Sequence, residues 1–144
     1  MSSTAKKKPG AKVRRGRPRS EASEQAILSA TLELLAELGF RAVTVDAIAA
    51  RAGASKSTIY RRWPTKENLI IAAFAQTPNL VPGRKGTMVE QLIDVITQFA
   101  VLMQATPLGG VLPALAAERT HNPALNDAIG PLVRARREPL LDLV

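Results

Sequence analysis

The chain has 144 residues, 46% of them hydrophobic and only 3% aromatic, with a net charge of +8. That length makes one domain, or one small domain and part of another, around a core of Leu, Ile, Val and Ala. The absence of cysteine excludes disulfides, thiolate metal sites and cysteine nucleophiles, and no apolar run approaches the ~20 residues needed to cross a bilayer.

The charge is unevenly placed. Residues 1–20 hold eight cations and no acid, while the other 12 cations balance the 12 acids. Residues 41–66 carry six cations against Asp46 alone, so two basic regions flank an acidic first helix. This is an electrostatic footprint for a polyanion. Residues 1–19 are rich in Pro, Gly, Lys and Arg, cannot offset the entropy of ordering, and are expected to be a disordered basic tail. No apolar segment adjoins it, so the tail is not a secretory signal. Within it, Arg15-Gly16-Arg17-Pro18 matches a minor-groove hook, with glycine letting the backbone lie deep and Arg15 and Arg17 entering a narrow A·T-rich groove. A solvated tail adding non-specific attraction fits the same residues. Either role strengthens DNA binding at low salt.

The first helix is expected over Ser20–Leu38. Glu21 and Glu24 suit its positive end, Ile27, Thr31, Leu34, Leu35 and Leu38 form its buried stripe, and Gly39 stops it. Phe40 and Val43 should pack under the second and third helices. Thr44 is a hydroxyl cap, and Val45, Ile48, Ala49 and Ala52 fall on one face of a short second helix. Gly53 ends it through a left-handed backbone, and Ser55 caps a third helix whose single large aliphatic, Ile59, faces inward. A small residue at the crossing (Ala49), a glycine in the turn and an aliphatic anchor together make a helix-turn-helix.

The rest of the third helix is polar and basic: Lys56, Ser57, Thr58, Tyr60, Arg61 and Arg62. Hydroxyls and guanidinium groups reach base edges, while Tyr, Lys and Arg hold phosphates, so this face suits a major groove. Tyr60 can also be a half-buried packing residue, and the two roles are compatible. Trp63-Pro64 closes the turn, with Trp63 in the core, and Thr65 caps the fourth helix, which runs through Leu69, Ile70, Ala73 and Phe74 to about Gln76. Lys66 stands in its first turn, where a cation is unfavourable unless a bound phosphate reverses the penalty.

Residues 77–86 form a loop with Pro78, Pro82, Gly83 and Gly86 as breakers, and mark a domain boundary. Thr87 and Glu90 form a capping box opening the fifth helix. Met88, Leu92, Val95, Ile96, Phe99 and Met103 line one face of it to about Ala105. That stripe is either plain core or the lining of a pocket for an apolar small molecule, with Leu92, Val95, Phe99 and Met103 as the lining candidates. Residues 106–110 break the chain. The sixth helix holds Val111, Leu112, Leu115 and Ala116 and ends near Thr120, and Asn122-Pro123 opens a seventh that Gly130-Pro131 and Pro139 should kink or interrupt. No strand is expected. His121, the only histidine, reads as a loop residue, and one histidine without cysteine argues against a metal site. No serine has an adjacent base, and no catalytic residues or cofactor are assigned.

The stretch Thr44–Leu69, with Ile48-Ala49, Ala52-Gly53, Ser55, Tyr60, Trp63 and Lys66-Glu67, resembles the DNA-binding domain of the tetracycline-repressor (TetR) family of bacterial transcription regulators. The likeness covers about residues 20–75. It departs mildly at Trp63, where the family usually has Phe, and beyond residue 80 it is one of layout only. The resemblance implies DNA contacts from Thr44, Ser55–Thr58, Tyr60, Arg61, Arg62 and Lys66, with phosphate roles for Tyr60 and Lys66. It implies a fourth helix that transmits a signal from the regulatory domain. It also implies a cytoplasmic, homodimeric repressor answering to a small-molecule effector. Paired heads would place residues 55–62 in successive major grooves of a palindrome, about 34 Å or a little more apart. The family usually continues through two further helices that pair subunits, and this chain stops at the apolar Leu140-Leu141-Asp142-Leu143-Val144. The expected architecture is therefore all-α. A three-helix head and its linking helix (20–76) are followed by an incomplete helical ligand-binding and dimerisation domain (77–144). Two other classes compete: an architectural DNA-coating protein driven by the tail, and an enzyme built on the bundle, which would need a convergent polar pocket that the sequence lacks.

Overall fold

The computed structural model describes residues 16–143. Seven helices and no strand are found among them: α1 (Gly16–Leu38), α2 (Val45–Ala52), α3 (Lys56–Arg62), α4 (Lys66–Ala75), α5 (Met88–Ala105), α6 (Leu108–Arg119) and α7 (Pro123–Leu141). The fold is all-α, as the periodicity predicts. Most boundaries follow from local chemistry. Thr44, Ser55, Thr65 and Asn122 each accept a backbone N–H three residues on, and Thr87 and Glu90 form the reciprocal capping box. Gly39 (φ 78°) and Gly53 (φ 65°) stop α1 and α2 in the left-handed region, which carries no Cβ penalty for glycine.

Several expectations are corrected. Helix α1 begins at Gly16, four residues before Ser20, so residues 16–19 are helical rather than part of an extended tail. Pro18 lies in the first turn, where its missing N–H removes no helical bond. Arg15 and the side chain of Arg17, the two cations of the minor-groove hook, lie outside the described residues. Leu38, expected in the buried stripe, is 50% exposed. Nor do residues 106–110 form a full break, because α6 starts at Leu108 with both glycines in its first turn.

Helix α7 is neither ended by Pro131 nor by Pro139, and α6 likewise carries Pro113 within it. The positions explain the tolerance. A proline deprives the carbonyl four residues back of its donor. Here Pro113, Pro131 and Pro139 and the residues four before them (Gly109, Asp127 and Ala135) are all exposed, so water can take the orphaned oxygens.

Helix α1 is the central strut, packed against α2, α4 and α6. The buried side chains form one cluster that draws on α1, α2, α3, α4, α6 and α7, from Ile27 to Ile129. Arg51 grips Glu37 through two bonds of 2.7 and 2.9 Å and ties α2 to α1, and Arg41 reaches Glu118 on α6 at 3.0 Å. These surface pairs fix orientation more than they stabilise. Helix α6 crosses α1 at Gly110, where a Cβ would stand 2.9 Å from Ala36 Cβ and 3.0 Å from the Ala36 carbonyl oxygen. Alanine gains helix propensity over glycine, but here it must push a helix backbone aside. Gly110→Ala should therefore lose about 1–2 kcal/mol in urea denaturation, with the slope unchanged. Unaltered or raised stability would mean that the two helices part without penalty.

Helix α5 stands apart. None of its residues is buried, and Met88, Val89, Ile93, Ile96 and Val101 are each more than half exposed. Gln98 ties it to the preceding loop, donating to the Val81 carbonyl at 2.9 Å and accepting from the Val81 N–H at 3.2 Å. Among the described residues no single helix is long and apolar enough to cross a membrane.

Candidate nucleic-acid interface

Helices α2 and α3 meet through buried Ile48, Ala49 and Ile59. Ile59 is 0% exposed and is the only buried residue of the seven in α3. A helix that short is not stable alone, so Ile59 and the two caps decide where its outer face points. That face presents Lys56, Ser57, Thr58, Tyr60, Arg61 and Arg62, all exposed, with Tyr60 at 48%. The hydroxyls form a cluster at its start: Ser55 Oγ lies 2.7 Å from Thr58 Oγ1 and 3.1 Å from Ser57 Oγ, and accepts from the Thr58 N–H. Thr44, also exposed, uses its hydroxyl oxygen to accept from the Ala47 N–H at 3.1 Å, which leaves its proton to donate.

Two of the cations are already engaged. Lys56 Nζ sits 2.8 Å from Asp46 on α2, and Arg62 sits 2.8 Å from Glu24 on α1 while lying 5.8 Å from the Trp63 ring centre. The Asp46 hydrogen bond raises the Lys56 pKa, which keeps the ammonium charged. Both cations are more than half exposed, although Glu24 is only 25% exposed, and such pairs contribute little net energy, so a phosphate can compete with the acids. Among the described residues, Arg61 alone of the α3 cations has no ion-pair partner. Trp63 is 8% exposed and plugs the end of α3 from within.

Lys66, the expected phosphate contact, is engaged within the fold. Its ammonium donates to the carbonyls of Phe40 at 2.7 Å and Val43 at 3.1 Å and lies 4.4 Å from the Phe40 ring centre. The turn between α1 and α2 presents those oxygens, and the lysine stem reaches back to them from the first turn of α4. Two of its three donors are thus spent inside the fold.

A second feature lies behind the head. A cavity of about 260 Å³ opens between α4, α5, α6 and α7. Phe74, Phe99, Leu102, Met103, Leu112 and Arg136 are among its walls. Phe99 and Met103 from the predicted α5 stripe are in place. Leu92 and Val95 do not line it, because they sit one to two turns nearer the start of α5, away from α7. Sequence reasoning missed Arg136. Its Nη1 donates to Thr77 Oγ1 at 2.7 Å and its Nη2 to the carbonyls of Phe74 at 2.7 Å and Thr77 at 2.9 Å. The guanidinium also stacks 4.3 Å from the Phe74 ring centre. It thereby closes the C-terminal end of α4, where exposed carbonyls favour a cation. Among the described residues no cluster of His, Cys, Asp and Glu could hold a metal ion.

Residues 27–73 match the family described as "Bacterial regulatory proteins, tetR family". An uncharacterized HTH-type transcriptional regulator of Mycobacterium tuberculosis is 38% identical over 108 residues, which are 74% of this chain and 52% of that protein. The regulator YdeS of Bacillus subtilis, also uncharacterized, is 45% identical over 89 residues, 60% of this chain and 45% of the other. The DNA-binding transcriptional repressor TetR of Mycobacteroides abscessus is 34% identical over 114 residues, 77% of this chain and 60% of its own. In fold, a crystallised HlyIIR mutant protein matches with a TM-score of 0.65 at 20% identity, over 86% of this chain and 69% of that one. The chain spans about half the length (52%) of the first of these relatives. With the helix-turn-helix, its caps and its anchor in place, residues 27–73 carry the N-terminal domain of the tetR family of bacterial regulatory proteins.

Proposed function

We propose that this chain is a sequence-specific, DNA-binding transcriptional regulator, a cytoplasmic repressor that meets a palindromic operator as a homodimer through α3. The observation that carries the reading is the outer face of α3. Six polar and basic side chains stand exposed around one fully buried isoleucine. Hydroxyls and Arg61 would read base edges, while Tyr60, Lys56 and Arg62 would hold phosphates after exchanging their intramolecular acids for the backbone. Thr44 would donate to a phosphate at the start of α2. The basic tail (1–19) would add salt-dependent attraction, residues 20–76 would form the reading head, and residues 77–144 would carry regulation. A small effector in the cavity behind α4 would shift that helix and the spacing of paired heads. Its control would equal its differential affinity for the two spacings. The names of relatives, such as the M. abscessus repressor, agree with this reading.

The test is selection from a genomic fragment library at near-physiological salt, followed by sequencing. Enrichment of one palindrome is expected. Enrichment of nothing, or of A·T-rich DNA in general, would instead favour the architectural reading driven by the tail. On the enriched site, Tyr60→Ala should weaken binding about tenfold or more on matched and mismatched DNA alike, by loss of a hydrogen bond to a charged oxygen. The salt slope should not change, because a phenol releases no counterion. A change in base preference alone would assign Tyr60 to base reading.

A further inference from the structure

The cavity behind α4 is largely apolar. Phe74, Phe99, Leu102, Met103 and Leu112 supply its walls, and no Asp or Glu lines it. Arg136 and Arg137 do line it, so the charge facing the space is positive. The Nε of Arg136 is buried and has no hydrogen-bond partner, although both Nη atoms are engaged. Among the described residues no carboxylate pairs with the Arg136 guanidinium. Burial draws its pKa downward, yet a guanidinium keeps its proton in a protein. A half-buried cation with no carboxylate partner and an idle, buried Nε donor is a ready seat for an anion. Carbonyl oxygens at the end of α4 answer the charge only in part.

We infer that this cavity binds a small amphipathic monocarboxylate, its carboxylate on Arg136 and its aliphatic chain among Phe99, Leu102, Met103 and Leu112. A carboxylate prefers the two parallel donors along one edge of a guanidinium. Along the Nε edge it takes the free Nε proton and competes for a proton of Nη2. That nitrogen now holds the carbonyls of Phe74 and Thr77, so ligand binding loosens the closure of the C-terminal end of α4. At about 260 Å³ the cavity falls just below the ~300–1,000 Å³ of pockets for drug-sized ligands, which suits a medium-chain acid. The assignment of the ligand stands on the cavity alone. Its effect on DNA rests on the regulator reading above.

The test is calorimetric titration of the full chain with decanoate, methyl decanoate and decan-1-ol, each below its aggregation limit. Decanoate should bind at least tenfold tighter than either neutral compound. Arg136→Gln should erase that preference while leaving decan-1-ol binding unchanged, and Met103→Trp, which fills the cavity and spares the guanidinium, should weaken all three. Should Arg136→Gln not fold, the wild-type comparison and Met103→Trp decide the matter. Equal binding of acid and alcohol, no binding of decanoate, or a preference that survives Arg136→Gln would overturn the assignment. Because no DNA is present, a chain that takes decanoate but selects no operator fails only the regulator reading. A chain that selects an operator but ignores decanoate fails only this one.

Discussion

Ile59→Ala should be the most damaging truncation in the head, lowering stability by about 2–5 kcal/mol, with a lower urea midpoint and an unchanged slope. Ile59 is 0% exposed and is the sole buried contact of α3. A seven-residue helix has no stability of its own against the ~12–15 residues at which isolated helices become marginal. The caps at Ser55 and Trp63 fix its ends but not its depth. Removing the anchor therefore empties the space between α2 and α3 and frees the outer face to tilt, so DNA binding should fall together with stability. Arg61→Gln is the matched control. It alters an exposed, unpaired side chain, so stability should hold within about 0.5 kcal/mol while DNA binding loses about 1–3 kcal/mol and its specificity relaxes at the base that Arg61 reads. A loss below about 1 kcal/mol for Ile59→Ala would mean that α3 is held by something other than its anchor.

That contrast shows where the sequence was readable. The caps at Thr44, Ser55, Thr65, Thr87 and Asn122 act over three residues, and the stops at Gly39 and Gly53 act over one. Information that local survives without a fold around it. The exposed face of α3 was legible for the same reason: in seven residues with one large aliphatic, the anchor fixes which side is out. The start of α1 was misjudged because Pro18 and the surrounding cations read as tail, whereas a first turn tolerates proline and satisfies its free amides elsewhere.

What could not be read is long-range. Lys56 with Asp46 and Arg62 with Glu24 bring together residues from separate helices, and charge counts gave only their sum. Gly110 looked like a breaker because glycine is permissive. Its role is steric, set by Ala36 some seventy residues earlier. Arg136 was one cation in a basic run, and only the fold brings it to Phe74 and Thr77. The stripe on α5 had a clear apolar side, but periodicity identifies a face and not what covers it. Phe99 and Met103 reach the cavity, while Leu92 lies beyond it, 39% exposed.

Lys66 allows the two kinds of information to be separated by experiment. From sequence it is a cation at a helix start, a position that invites an anion. In the fold its ammonium holds the Phe40 and Val43 carbonyls and covers the Phe40 ring. Phe40 and Val43 are 6% and 1% exposed, and their turn connects α1 to α2. Lys66→Met keeps most of the aliphatic stem and removes both charged hydrogen bonds and the cation–ring contact. Hydrogen bonds to a charged group are worth about 1.5–3 kcal/mol, but water can partly replace them at a half-buried site, so the expected loss is about 2 kcal/mol. Urea denaturation should show it as a shifted midpoint. Binding to the selected operator should weaken only as far as the turn relaxes, with the salt slope unchanged, since an ammonium bonded within the fold releases no counterion from DNA. A slope reduced by about one per head with stability intact would return Lys66 to the phosphate backbone. It would also mean that DNA draws the ammonium away from Phe40 and Val43. The pairing of stability and salt slope separates these cases, because a structural lysine moves the first and a phosphate contact moves the second.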